Sequence, residues 1–215
     1  MLFFNRQEGG KQLARKLQQY YQAANTVVVG LPRGGVVTAA VVAQELQLPL
    51  DIIVTRKLGA PNNEELAIGA ITEEGAPILN QSLADALGVR ADYLTTVVEK
   101  QQLEARRRLR RFRKCCPVIH LHRKTVLLVD DGLATGYTMF AAIASTKAKG
   151  AKKIIVAVPV APPDIVKEMR TQVDDVVTVA TPEWFGAIGA FYQKFDQVTD
   201  QTVEEILSHQ HDSYV

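Results

Sequence analysis

VLLVDDGLATGYT, the stretch from Val126 to Thr138, decides the fold class because it joins an apolar strand to two acids and a loop of small residues. The apolar run 126–129 predicts a buried strand that carries Asp130 and Asp131 at its carboxyl end. Ligands of open α/β sheets bind at that end. The loop leads into a predicted helix, whose N-terminal N–H groups suit an anion. The stretch therefore predicts carboxylate acceptors beside phosphate donors.

The rest of the chain alternates short apolar strands with amphipathic helices, which favours a mostly parallel sheet flanked by helices. The predicted strands are 26–29, 51–55, 67–71, 126–129, 154–160 and 176–179, and the predicted helices are about 36–46, 138–149, 164–171 and 202–209. Residues 72–117 interrupt this alternation of strands and helices and include a long predicted helix, about 92–113. We interpret them as a helical insertion in a single α/β domain that comprises residues 1–215.

Composition places the chain among globular proteins. Hydrophobic residues make up 47% of its 215 residues, which is enough for a buried core. No apolar run approaches the roughly 20 residues that a membrane span needs, and the first residues do not resemble a signal peptide. The expected location is therefore the cytoplasm. The adjacent Cys115 and Cys116 are expected to be reduced thiols, and no histidine has a suitable partner for a metal or catalytic site.

The positive charge of the chain is concentrated in one segment. Residues 106–114 carry seven basic and no acidic side chains, although the whole chain has a net charge of only +2. The remainder is acidic, so a nucleic-acid partner is not favoured. We expect the basic run to lie on a helix outside the ligand site, with Leu109 and Phe112 packed and the arginines solvated, paired to acids or at a subunit contact of a homodimer.

The acceptors and phosphate donors of residues 126–138 suit a ribose 5-phosphate, which has a diol near its phosphate. The stretch resembles the signature of type I phosphoribosyltransferases that binds 5-phosphoribosyl-1-diphosphate (PRPP), although Gly132 stands where many members have a hydrophobic residue. The resemblance implies that Asp130 and Asp131 bind the ribose hydroxyls and, together with PRPP oxygens, Mg²⁺. It also implies a 5-phosphate site formed by Ala134, Thr135, Gly136, Tyr137 and Thr138.

The loop after the first predicted strand is similar to the pyrophosphate loop of that family. Glycines allow a close approach of the backbone to a phosphate, and a guanidinium group can bind a phosphate with two hydrogen bonds. The implied pyrophosphate-binding residues are Pro32, Arg33, Gly34 and Gly35, joined by Arg56 and Lys57 at the end of the next strand. Arg33 and Lys57 would act with the two acids as catalytic residues by neutralising the leaving group. Residues 59–65 are a candidate cover over the site.

Residues 181–196 are similar to the hood that recognises the acceptor in this family, and Trp184 or Phe185 is the implied acceptor-binding aromatic. Purine-using members carry an Asp shortly after this aromatic, and this chain does not, so the acceptor stays open. The favoured function is transfer of a phosphoribosyl group to a small-molecule acceptor, as in an uncharacterised bacterial branch of the family. The alternatives are a PRPP-sensing regulator that binds nucleic acid and a Rossmann domain, which the absence of G-x-G-x-x-G makes weak.

Overall fold

A computed structural model describes residues 2–114 and 116–212. Its strands are β1 (Thr26–Gly30), β2 (Leu50–Ile52), β3 (Thr55–Ala60), β4 (Asn63–Thr72), β5 (Ile78–Leu79), β6 (Thr125–Val129), β7 (Lys153–Val160) and β8 (Asp175–Ala180). Its α-helices are α1 (Arg6–Lys16), α2 (Gly34–Leu46), α3 (Gln81–Ala86), α4 (Ala91–Phe112), α5 (Tyr137–Ala148), α6 (Pro163–Met169) and α7 (Asp200–Asp212). Short 3₁₀ turns occur at Gln18–Tyr20 and Ile188–Phe191.

The main sheet has five parallel strands in the order β2-β1-β6-β7-β8. Every residue of β1 is buried, as expected for strands that are covered on both faces and therefore have nearly continuous apolar sequences. Gly30 pairs with Val129, so β1 and β6 end side by side at one edge of the sheet. The predicted fold class, a mostly parallel sheet flanked by helices, is confirmed.

Helices cover both faces of this sheet. On one face, α1, α2, α7 and the C-terminal half of α4 share an apolar core that includes Leu13, Leu46, Phe112 and Leu207. On the other face, α5 and α6 bury residues such as Met139 against the alternate side chains of the same strands. Because successive side chains of a strand point to opposite faces, β1 and β6 contribute to both cores.

A second, antiparallel sheet of order β3-β4-β5 was only partly predicted. The strand expected at 51–55 is divided, since β2 ends at Ile52 and β3 begins at Thr55. The loop expected at 59–65 is instead the tip of the β3–β4 hairpin, because β3 ends at Ala60 and β4 begins at Asn63. The apolar residues Leu58 and Ile71 form a small core with the N-terminal half of α4. Strand β3 was not recognised in the sequence because it contains the charged pair Arg56-Lys57.

Helix α1 was not predicted, because Gly9 and Gly10 lower helix propensity. The structure explains both glycines by close packing. A Cβ atom at Gly10 would lie 2.9 Å from the Val41 side chain of α2, and one at Gly9 would lie 3.1 Å from Pro159 of β7. The helix begins at an Asn5 cap whose side chain accepts a hydrogen bond from the Glu8 N–H. Small residues therefore let α1 approach both α2 and strand β7 of the main sheet closely.

Other expectations concern single residues and membrane spans. Cys116 is a buried free thiol, whereas Cys115 lies outside the described residues. His120, His122 and His209 are exposed, and the side chain of His211 lies outside the described part of the chain. Among the helices that the structure describes, none is long and apolar enough to cross a membrane.

Candidate functional site

The carboxyl ends of β1 and β6 open into a cleft of about 680 Å³. The main sheet forms its floor, the β3–β4 hairpin and α4 form one wall, and residues 188–198 lie at the opposite side. The cleft brings together most of the site residues predicted from sequence, namely Pro32, Arg33, Gly34, Arg56, Lys57, Asp130, Asp131, Ala134, Thr135, Gly136 and Thr138. These residues come from separate segments of the chain, so the fold assembles a single site from distant motifs.

The two acids have different environments. Asp131 accepts a hydrogen bond from Arg6 Nε through Oδ2 at 2.6 Å. Asp130 accepts one from the Asp131 N–H through Oδ1 at 2.8 Å. Burial, followed by the neighbouring charge of Asp131, raises the pKa of the Asp130 carboxyl well above its usual value. A bound cation or hydroxyl donor beside Asp130 would relieve this cost.

Gly34 and Gly35 are required by the close approach of the first loop to the acids. A Cβ atom at Gly35 would lie 2.5 Å from Asp130 Oδ1 and 2.9 Å from the Asp130 Cα atom. A Cβ atom at Gly34 would overlap Asp131 Oδ2. The peptide bond between Pro32 and Arg33 in this loop is cis. The two predicted motifs are thus in contact at the floor of the cleft.

The loop before α5 has the geometry of an anion site. Gly136 has φ +75°, a conformation that glycine adopts at little cost, and α5 begins at the next residue. In the described part of the chain, no protein acceptor meets the N–H groups from Ala134 to Thr138. These groups and the positive end of the helix dipole favour a phosphate. The side chain of Tyr137 does not line the cleft, and burial raises its pKa, so Tyr137 offers only its backbone.

Basic side chains line the cleft on the β3–β4 hairpin and on the loop after β1. Arg56 and Lys57 lie within β3 of the small sheet, and not at the end of a main-sheet strand as the sequence suggested. Lys57 is exposed at the cleft. Arg33 Nη1 lies 3.7 Å from Asp200 Oδ1. Three predicted cations therefore face the cleft without a short bond to a carboxylate among the described residues.

Arg6 is a site residue that sequence reasoning missed. Besides its bond to Asp131, it donates to the Asp196 carbonyl oxygen at 2.8 Å. Its guanidinium carbon lies 3.7 Å from the centre of the Phe195 ring. The Tyr192 hydroxyl donates to the Asp131 carbonyl oxygen at 2.6 Å, and burial raises the pKa of this phenol. Arg6 is separated from Asp131 by 125 positions, so no local pattern could have revealed the contact.

The predicted acceptor aromatics lie outside the cleft. The Trp184 residue is 91% exposed, and Phe185 packs against Phe191 with ring centres 4.8 Å apart. Ile188 and Phe195 line the cleft instead. Phe195 is held there because Arg6 stacks on its ring, whereas nothing in the sequence distinguished it from the other aromatics of this segment.

The residues present fit a magnesium ion that is shared with a ligand. The described residues contain no cluster of three or more His, Cys, Asp or Glu side chains that could hold a metal alone. Mg²⁺ often binds through one or two carboxylates together with substrate phosphates. The carboxyl group of Asp130, whose charged form is disfavoured by burial and by the charge of Asp131, would be stabilised as a carboxylate ligand by such a shared ion.

The expectation that the whole basic run lies outside the site is wrong for one residue, because Arg108 lines the cleft. Leu109 and Phe112 do pack in the core. Arg107 is bonded to Glu104, and Arg111 is bonded to Glu204. Two arginines of the exposed face are therefore paired to acids, as expected, and the absence of nucleic-acid binding stays a prediction from sequence.

Comparison with known proteins agrees with this geometry. The model of the phosphoribosyl transferase domain matches residues 5–196. Two Mycobacterium tuberculosis proteins, from strains CDC 1551 and H37Rv and named as candidate phosphoribosyl transferases, are each 44% identical over 210 residues, or 98% of this chain. The chain spans about half the length of these relatives, since the match covers 47% of each.

A solved structure gives a match over both whole chains. The TT1426 protein of Thermus thermophilus is 38% identical and has a TM-score of 0.79, with 98% of this chain and 99% of that chain covered. The matched region includes both loops of the cleft and the acid pair. From the family model and these relatives, we conclude that the chain belongs to the phosphoribosyltransferase family.

Proposed function

We propose that the protein binds Mg²⁺ and PRPP in this cleft and transfers the 5-phosphoribosyl group to a small-molecule acceptor, with release of diphosphate. The observation that carries the proposal is that Asp130 and Asp131 are separated by only two residues, Gly132 and Leu133, from the segment 134–138, whose N–H groups have no acceptor among the described residues. A ribose 5-phosphate needs acceptors for its hydroxyls and donors for its phosphate. Both are present on one continuous loop of the chain.

In the proposed complex, the loop 134–138 holds the 5-phosphate, and Asp130 and Asp131 accept hydrogen bonds from the ribose hydroxyls. Cleavage at C1 develops positive charge on the ribose ring, as in other glycosyl transfers. The nearby carboxylates stabilise that charge, and the fixed loops orient the reacting carbon. No residue of the chain is required as a nucleophile, because the acceptor itself attacks C1.

The diphosphate leaves toward the basic wall. The Pro32–Gly35 loop would approach it with its backbone, and Arg33, Arg56 and Lys57 would neutralise its charge. A bound Mg²⁺ would add positive charge at the same leaving group. Arg6 keeps Asp131 in place through its bond at 2.6 Å. We assign catalysis to Arg33, Lys57, Asp130 and Asp131, and a positioning role to Arg6.

The proposed acceptor is a nitrogen-containing compound that enters beside Ile188 and Phe195. These two apolar side chains line the cleft, so they replace Trp184 and Phe185 as the contacts that we expect in the conformation described. The arrangement has no feature that assigns a purine. A cytoplasmic location and a homodimer remain predictions from sequence.

Isothermal titration calorimetry with Mg²⁺ and PRPP tests the proposal. In the double variant Asp130→Asn/Asp131→Asn, each lost charge-assisted bond should cost about 1.5–3 kcal/mol of binding free energy. Substitution of the exposed Asp164 by Asn is the control and should leave the affinity unchanged. An equal affinity of the double variant and the wild type would refute the assignment of the acids to the ribose.

A further inference from the structure

Two arginines at the cleft wall, Arg56 and Arg108, have terminal guanidinium nitrogens that no contact among the described residues uses. Arg56 of β3 is partly buried, and its Nε donates to Gln101 Oε1 of α4 at 2.9 Å. In the described part of the chain, no carboxylate lies within 4 Å of the Arg56 guanidinium group, and its two terminal nitrogens make no hydrogen bond. A partly buried cation without a carboxylate is costly, so an anion is expected beside it.

Arg108 of α4 is the second member of the pair. Its side chain is 18% exposed, and its Nε donates to Glu104 Oε1 at 3.0 Å. The same carboxylate also accepts two hydrogen bonds from Arg107. One negative charge is therefore shared by two guanidinium groups, and the terminal nitrogens of Arg108 have no hydrogen-bond partner among the described residues.

Helix geometry directs this part of α4 toward the cleft. Val97, Gln101 and Arg108 are spaced by four and seven residues, which places them on one face of a helix with 3.6 residues per turn. All three line the cleft. The helix is fixed in this orientation because Phe112 is buried in the main core and Arg106 Nε donates to the Glu73 carbonyl oxygen at 2.9 Å.

The charges of the pair act on each other and on the first loop. Burial lowers the pKa of Arg56, and the positive charges of Arg108 and Arg33 lower it further, whereas the carboxylates of Glu104 and Asp200 act in the opposite direction. Arg33 belongs to the loop that we assign to the diphosphate, so the field of that loop reaches Arg56. Like charges held together in a cleft are stabilised by an anion that contacts them all.

We propose that Arg108 of α4 joins Arg56, already assigned to the diphosphate above, in a subsite that extends the Pro32–Gly35 loop across the cleft, and that Gln101 of α4 orients Arg56 within it. This inference rests on the proposed function and adds α4 to the reacting site. Each guanidinium group presents two unused nitrogens, which suit the paired oxygens of a phosphate. Arg56 and Arg108 thus hold the end of the diphosphate remote from the ribose, and Gln101 is a positioning residue.

The chain offers a matched pair of variants for the test. Arg107→Ala and Arg108→Ala each remove a guanidinium group bonded to Glu104, but of the two only Arg108 lines the cleft. The probes are inorganic diphosphate with Mg²⁺ and, separately, ribose 5-phosphate, both measured by calorimetry on the full chain. Arg108→Ala should weaken diphosphate binding by about 10- to 100-fold and change ribose 5-phosphate binding by less than about twofold. Arg107→Ala should leave both affinities unchanged.

Further variants separate a binding role from a structural one. Arg108→Lys keeps the positive charge but loses the paired N–H donors of the guanidinium group, so it should retain only part of the diphosphate affinity. Gln101→Ala should weaken diphosphate binding less than Arg56→Ala does. Unchanged diphosphate affinity in Arg108→Ala, or an equal loss for both probes, would overturn the subsite. If the wild type bound diphosphate through Arg108 but failed to bind ribose 5-phosphate, the subsite would stand and the proposed function would fall.

Discussion

Substitution of Gly35 by Ala tests the contact between the two loops of the cleft. The added Cβ atom would lie 2.5 Å from Asp130 Oδ1, 2.9 Å from the Asp130 Cα atom and 3.1 Å from Asp130 Cγ. Because the Asp130 Cα atom is part of the backbone, a rotation of the Asp130 side chain cannot relieve the overlap. The loop before α2 and the acid must therefore move apart.

The expected change in stability is a balance of two opposite effects. Gly35 is the second residue of α2, and replacing a helical Gly by Ala stabilises a helix by about 1 kcal/mol. Overpacking of a tight contact costs about 1–3 kcal/mol. The free energy of unfolding should therefore fall by about 0–2 kcal/mol. The rate of the PRPP-dependent reaction should fall by about 100-fold, because a displacement of a reacting group by about 1 Å lowers the rate by about that factor.

Urea denaturation measures the first quantity, and calorimetry with Mg²⁺ and PRPP, followed by release of diphosphate, measures the second. Gly186→Ala is the control, because a Cβ atom there meets no heavy atom within 4 Å. A Gly35→Ala variant that is more stable by about 1 kcal/mol, the helix-propensity gain alone, and binds PRPP as the wild type does would refute the reasoning.

Two further predictions concern buried carboxylates. The raised pKa of Asp130 means that the folded state holds this proton more tightly than the unfolded state, so stability falls as pH rises from the ordinary Asp pKa through the folded one. Ligand-free Asp130→Asn should therefore be more stable than the wild type at neutral pH, with a difference that shrinks on acidification; equal denaturation curves at neutral pH would contradict this. Arg113→Ala removes the cation bonded to Asp51, whose side chain is only 4% exposed, and should cost about 3–5 kcal/mol of unfolding free energy. The exposed Arg90→Ala should cost less than about 1 kcal/mol, and a similar effect of both variants would show that the buried pair is not special.

The main sheet and the acid-bearing loop could be predicted because their signals are local. An apolar strand, two acids and a glycine before a helix are consecutive in 126–138, so a short window contains both the fold and the chemistry. Arg6 and Arg108 could not be found in this way. Each reaches the cleft only through packing between distant elements, and the basic run 106–114 does not show which of its arginines faces the cleft.

The small sheet and the residues that face the acceptor were harder to predict, for another reason. Strand β3 includes the charged pair Arg56-Lys57 and therefore lacks a clear alternation of apolar residues. Among the aromatics of residues 181–196, composition alone could not decide which side chains face the cleft. Tertiary contacts decide which aromatics face the cleft. The guanidinium group of Arg6 stacks on the Phe195 ring, whereas Trp184 lies outside the cleft.

The bond from Tyr192 to the Asp131 carbonyl oxygen can form only late in the synthesis of the chain. The acid loop leaves the ribosome first, and the residues that lock it follow after 61 further positions. At about 5–20 residues per second, that interval lasts about 3–12 s. During this time the nascent chain already has the phosphate loop but lacks the tyrosine that steadies the acids. Capture of substrate should therefore begin only after this late segment has emerged and docked.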